Sequence, residues 1–278
     1  MKTVIKIIKE NVKKILRKIG IFTHNPRNYI LPTKAKRVLL YTAGDAFYGI
    51  VDLKRMARYR AHQSSPHPFL ELYYQARDLT ETPDFFAKET RLYTISQLIQ
   101  NHVFKNKIPG HFAECGCFRG HSSYTIASLL KQKNFQGTFW IFDSFEGISK
   151  KTPIDNEGDG AWVPQDFLEA PLEHLKTVLK PFPFVSIHKG WIPEVFETAP
   201  IASENFAFLH VDVDLYEPTK GCLDYFFSRM SPGGVIFISN YNVSHWPGSM
   251  QAVDEFVANN RTAFFLKNQV EGCVIVNS

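Results

Sequence analysis

Acidic side chains stand at three points where an apolar run stops. Phe206 to Val211 is almost continuously apolar and leads into Asp212-Val213-Asp214; Thr138 to Phe142 leads into Asp143; Phe112-Ala113 leads into Glu114. Short runs of this kind read as buried strands, and the carboxyl ends of such strands are where an open α/β sheet places its ligands. Two acids separated by one residue can do two jobs. One can hold a metal or a cofactor, and the other can take a proton from a substrate hydroxyl. A positioned general base is worth about 10²–10⁴-fold to such a step. Asp143 follows a glycine turn at the interval where nucleotide sites carry the acid that accepts from ribose hydroxyls.

The element that must position these groups is Ile108 to Ala127, IPGHFAECGCFRGHSSYTIA. It reads as a strand, a turn at Gly116 and Gly120, and a helix whose N-cap is expected at Ser122 or Ser123. Tyr124, Ile126, Ala127, Leu129 and Leu130 supply the buried face of that helix. A dinucleotide site wants G-x-G-x-x-G with a pyrophosphate over the helix start. Here the pattern is E-x-G-x-x-x-G, and Glu114 would repel a diphosphate. It suits a cofactor with a cationic amino-acid end, such as S-adenosylmethionine (SAM). Cofactor contacts are therefore expected from Glu114, Gly116, Gly120, Ser122, Asp143 and Ser144. Phe184 to Ile187 reads as a third strand, after which Gly190 lets a flat ring approach; Trp191 is expected either to stack near that ring or to belong to the core. Between these strands, Lys150 to Glu169 is long and polar, with Gly158 and Gly160 suggesting a mobile lid or substrate loop.

The chain's 278 residues are 44% hydrophobic, enough for one substantial core. The net charge of +5 lies largely in the first twenty residues, and the balanced remainder carries no nucleic-acid footprint. Cys115, Cys117, Cys222 and Cys273 form no C-x-x-C pair, which favours reduced, buried thiols in a cytoplasmic protein over a zinc site. Met1 to Phe22 repeats Val4, Ile5, Ile8, Val12, Ile15, Leu16 and Ile19 at helical spacing among lysines and arginines. Two readings stay open for this basic amphipathic helix, residues 1–22. It can make peripheral contact with the anionic inner face of a membrane through residues 1–20, or dock on the domain or on a second copy in a homo-oligomer. Residues 23–85 read as an N-terminal extension or cap, and residues 86–278 as the main domain.

The C-terminus gives the topology. Val253 to Ala258 reads as helix, and Thr262 to Leu266 and Gly272 to Val276 as a strand–turn–strand pair. A doubly wound sheet ending this way matches class I SAM methyltransferases. The expected fold is α/β, a mostly parallel seven-stranded Rossmann-like sheet with one antiparallel strand near the C-terminus.

Taken together, E-C-G-C-F-R-G, D-S-F-E-G-I, K-G-W, D-V-D-L-Y-E-P-T, S-P-G-G-V-I and A-V-D-E-F resemble the macrocin O-methyltransferase family in content and order, over roughly Phe86 to Val276. The resemblance implies SAM at Glu114, Gly116, Gly120 and Asp143. It implies transfer of a methyl group to a hydroxyl of a sugar in a glycan, glycolipid or glycosylated natural product. It implies Asp212 as a magnesium ligand and cofactor contact, Asp214 as the general base, and Asn240 as a further metal ligand. The sequence departs from the family where two adjacent aspartates are replaced by Ser239-Asn240. Magnesium prefers anionic oxygens in octahedral geometry, so metal dependence is expected to be weak or absent. Asp214 or a nearby histidine, His210 or His245, would then carry base catalysis alone. A methyltransferase fold that binds SAM or a partner without catalysis is the alternative.

Overall fold

The computed structural model describes residues 68–83, 86–241, 243–260, 263–268 and 272–277. The basic helix expected over residues 1–22 and most of the extension expected over residues 23–85 lie outside them. Seven strands form one sheet: β1 (His111–Cys115), β2 (Phe139–Asp143), β3 (Val185–Lys189), β4 (Phe206–Val211), β5 (Met230–Ser239), β6 (Ala263–Asn268) and β7 (Gly272–Asn277). Their spatial order is β3-β2-β1-β4-β5-β7-β6. The first five pair in parallel, and β7 inserts antiparallel between β5 and β6. This is the doubly wound, mostly parallel seven-stranded sheet with one antiparallel strand that the sequence leads one to expect.

Helices cover both faces. On one lie α1 (Pro68–Thr80), α2 (Phe86–Gln97), α3 (His121–Gln132) and α4 (Leu172–Leu179). They pack with Phe112, Phe139, Phe208 and Phe237 of the sheet. On the other lie α5 (Val195–Thr198), α6 (Tyr216–Phe226) and α7 (Pro247–Asn259), packed with Phe142, Leu209, Val211 and Ile238. Alternate residues of one strand thus enter different cores, as the period of two requires. Helix α1 precedes the expected domain start at Phe86, yet Phe69, Leu70, Leu72, Tyr73 and Ala76 belong to the first core.

Two local features tie the helices to the sheet and shape its fifth strand. Helix α2 runs on into a π-helical turn, Leu98–Phe104, which docks on the start of β5 through His102 Nε2 and the carbonyl of Gly233 at 2.8 Å. That contact makes His102 a structural histidine, and burial lowers its pKa. Ser231 to Gly234, a sequence of turn-forming residues, lies inside β5, which shows an irregularity in its register with β4.

Candidate active site

The carboxyl ends of β1, β2, β4 and β5 converge on one cavity of about 690 Å³, within the range usual for small-molecule sites. Each of these four strands is followed by a non-glycine residue in the left-handed region: Phe118 (φ 50°), Phe145 (φ 58°), Asp214 (φ 64°) and Asn240 (φ 64°). Such conformations are costly for most side chains and concentrate at functional sites, and Asp and Asn tolerate them best. Left-handed residues thus follow each of the four strands that meet the cavity, and Glu81, Lys107 and Asn134 adopt the same region elsewhere.

The glycine turn forms one wall, with Gly116, Cys117, Phe118 and Ser122 on the cavity. Gly116 is required by the fold itself. Its φ is +81°, and a Cβ there would stand 2.2 Å from the carbonyl oxygen of Asp212, where the chain leaving β4 crosses it. Asp143 secures the turn. Its Oδ2 accepts from the amides of Cys117 (2.7 Å) and Phe118 (3.0 Å), and its Oδ1 from the amide of Phe145 (2.7 Å). Burial raises its pKa, against the lowering effect of those three amides. A carboxylate offers roughly four acceptor sites, so about one remains for a ligand, not a pair for two vicinal hydroxyls. Ser144 lines the cavity, but its hydroxyl donates to Gly147 O at 2.8 Å and accepts from the Glu146 amide at 3.1 Å. Trp191 also lines the cavity.

Four sequence expectations need correction. First, Glu114 does not reach the cavity wall. It is fully buried on the sheet face that carries Phe112, where α3 covers it, and it accepts from Ser123 Oγ and bonds His210 Nδ1 at 2.8 Å. Second, the helix starts at His121, at least two residues earlier than its serines suggest. Gly120, in the left-handed conformation, is the N-cap, and neither Ser122 nor Ser123 caps the helix. Ser123 serves Glu114 instead. Third, Gly120 and Gly190 are packing residues: a Cβ on Gly120 would meet Leu175 Cδ1 at 2.1 Å, and one on Gly190 would meet Val195 at 3.0 Å. Fourth, Gly158 and Gly160 do not mark a free loop. Their Cβ positions would fall 2.7 and 2.6 Å from His245 O, so they admit the 244–246 segment. Lys151 Nζ further staples the loop to the carbonyls of Gly160, Ala161 and Val163.

Glu114 opens a buried polar row across the sheet. His210 is its register partner on β4, and His210 Nε2 lies 3.0 Å from Ser239 Oγ at the end of β5. His210 and Ser239 line the cavity from below, so the row connects its floor to the interior.

Asp212, Asp214 and Asn240 form the opposite part of the floor. Asn240 Nδ2 donates to Asp212 Oδ1 at 2.8 Å and to Asp214 Oδ1. Asp214 is only 7% exposed. Burial and the neighbouring charge of Asp212 push its pKa well above the usual carboxylate range, against the opposing effects of Arg91 and Asn240. Arg91 from α2 is the residue the sequence reading missed. It bonds Asn240 Oδ1 at 3.1 Å and lies 3.7 Å from Asp212 Oδ1. Its only sequence signal is an arginine on the inward stripe of an otherwise ordinary helix.

The wall formed by the turn fits SAM. Beside it the Ser149 hydroxyl is buried with no hydrogen-bond partner among the described residues, and it lines the cavity. A buried polar atom of this kind is normally satisfied by a ligand or water. Among the described residues no helix is long and apolar enough to cross a membrane.

Residues 53–273 match the macrocin-O-methyltransferase (TylF) family. A demethyldecarbamoylnovobiocin O-methyltransferase of Streptomyces niveus is 28% identical over 176 residues, 60% of this chain and 65% of that protein. An 8-demethyl-8-(2,3-dimethoxy-alpha-L-rhamnosyl)-tetracenomycin-C 4'-O-methyltransferase of Streptomyces olivaceus is 28% identical over 149 residues, 51% of this chain and 56% of that protein. The matched stretch thus spans less than two thirds of either relative. The solved structure of the O-methyltransferase NovP superposes with a TM-score of 0.56 at 24% identity, covering 68% of this chain and 79% of that one, and shares the fold. With four fifths of its length matched to that family, and relatives that are O-methyltransferases, the chain belongs to the macrocin O-methyltransferase family.

Proposed function

We propose that the protein transfers a methyl group from SAM to a hydroxyl of a sugar on a small molecule. One observation carries the reading: a single cavity joins the turn wall secured by Asp143 to a nearly buried acid, Asp214, raised in pKa on the facing floor. SAM would lie along Gly116, Ser122, Asp143 and Trp191, with Ser149 as an added polar contact, and when bound it supplies a methyl group already activated on a sulfonium. The chain's own task is to orient the acceptor and remove its proton. Asp214 has the properties of that base. Its pKa is moved toward the working range, where a base is most effective, and Asn240 fixes its carboxylate. The sugar acceptor follows from the rhamnosyl substrate in the name of one relative. The apolar side of the cavity, with Leu92, Ile95, Phe167 and Leu168, suits the ring faces of a small glycoside.

The test uses methyl-labelled SAM with a panel of small glycosides bearing free hydroxyls, alongside calorimetric titration with S-adenosylhomocysteine. Wild type binds the homocysteine and labels at least one glycoside. Asp214→Asn keeps binding and loses about 10²-fold or more of turnover. Absence of binding removes the cofactor assignment; wild-type turnover by Asp214→Asn removes the base assignment.

A further inference from the structure

The floor of the cavity brings together charges from three distant parts of the chain. Asp212 and Asp214 leave the end of β4, Asn240 leaves the end of β5, and Arg91 enters from α2 with its side chain 10% exposed. The orientation of the Asn240 amide follows from its neighbours. A guanidinium only donates and ionised carboxylates only accept, so the amide oxygen faces Arg91 and the amide nitrogen faces the two aspartates.

This arrangement does not fit the magnesium ion that the family resemblance implies. A divalent ion held by Asp212 and Asn240 would need an oxygen from each, yet Asn240 turns its N–H to Asp212 and gives its amide oxygen to Arg91. The ion would also stand beside the guanidinium, 3.7 Å from Asp212 Oδ1. Ser239 is no substitute for the family's aspartate, because its hydroxyl is engaged by His210 Nε2 at 3.0 Å. Among the described residues, no three His, Cys, Asp or Glu side chains are grouped to hold a metal.

We propose that Arg91 is the resident cation of this cluster: it balances Asp212, orients the pair of aspartates through Asn240, and keeps divalent metal out. The catalytic meaning of the proposal rests on the methyl-transfer reading; the exclusion of metal does not. In structural terms, a helix from the region before β1 delivers the positive charge that a soluble ion would otherwise supply. The charge is permanent, since a guanidinium stays protonated throughout the working pH range.

The experiment is a titration of the chelator-dialysed full chain with Mn²⁺, read by electron paramagnetic resonance, and with Mg²⁺, read by calorimetry. Wild type shows no saturable uptake, and neither chelator nor Mg²⁺ shifts its melting temperature. Arg91→Ala exposes the carboxylates and binds Mn²⁺ at least about tenfold more tightly than wild type. Arg91→Gln, which keeps a donor for Asn240 and loses the charge, does the same and serves where alanine disturbs the packing. Arg91→Lys behaves as wild type. Stoichiometric Mg²⁺ binding by wild type overturns the proposal, as does Mn²⁺ affinity in both neutral variants no better than wild type. Failure to bind S-adenosylhomocysteine, with metal still excluded, counts against methyl transfer and leaves the Arg91 assignment standing.

Discussion

Asp143→Asn tests whether the cofactor wall is held by acceptor geometry. The two oxygens of Asp143 take three backbone amides: Cys117 and Phe118 on Oδ2, Phe145 on Oδ1. Asparagine has one oxygen. Placed at the Oδ2 position it keeps Cys117 and Phe118, and its NH₂ then confronts the Phe145 amide, donor against donor. The opposite orientation orphans two amides, so the first is preferred. One half-buried donor left without an acceptor costs about 1–3 kcal/mol. Loss of the charge does not add to this, because burial already raises the Asp143 pKa and so disfavours the ionised form. A central loss of about 2 kcal/mol lowers the melting temperature by about 4–8 °C in a domain of this size. Phe145 sits at φ 58° directly after β2, so release of its amide also relaxes the loop that carries Ser149 into the cavity. S-adenosylhomocysteine affinity should fall about tenfold or more, equivalent to about 1.4 kcal/mol. Thermal denaturation and calorimetry on purified wild type and variant read both quantities. A variant with unchanged melting temperature and unchanged affinity would refute the reasoning, since the three amides would then need no carboxylate.

Further expectations follow from the same geometry. Gly116→Ala places a methyl 2.2 Å from Asp212 O at φ +81°; it should destabilise by about 2 kcal/mol or more and abolish S-adenosylhomocysteine binding, measured by urea unfolding and calorimetry. Glu114→Ala removes the acceptor of Ser123 and the partner of His210. Its cost of about 2–6 kcal/mol, two buried groups at about 1–3 kcal/mol each, should appear in urea unfolding, with refolded protein still binding the cofactor product. The pH dependence is set by Asp214. A base must be ionised, so kcat/KM should fall with decreasing pH through a pKa above the ordinary carboxylate range. For stability the sign is opposite. A carboxyl whose pKa is raised by folding contributes stability that is full below the unfolded pKa and is lost as pH rises through the folded one. Asp214→Asn should therefore flatten the decline of melting temperature between the ordinary carboxylate range and the raised pKa of the folded state, and an unchanged profile would contradict the assignment.

Much of the architecture is legible in the residues because it rests on local rules. The apolar run of β4 spans Phe206–Val211 as its hydrophobicity indicates, and the C-terminal pair supplies the antiparallel strand. Gly116 is legible as a turn because a positive φ excludes most other residues there. Helix ends are less so. Ser122 and Ser123 satisfy a capping pattern, yet the buried carboxylate of Glu114 competes for Ser123, and that competition involves another strand.

The sequence by itself determined which chemical groups end the strands: Glu114, Asp143, Asp212 and Asp214, each placed by an apolar run that must stop in polar surroundings. Only the tertiary structure decided which of them meet a ligand. Alternation turns Glu114 onto the face covered by α3, while Asp143, Asp212 and Asp214 reach the cavity. It also decided the partner of the aspartates. Arg91 and Asn240 are 149 residues apart and meet because α2 packs at the carboxyl edge of the sheet. No periodicity or motif encodes that contact. It arises from the docking of a helix, and the charge of a buried arginine is tolerable only where such docking brings it to acceptors.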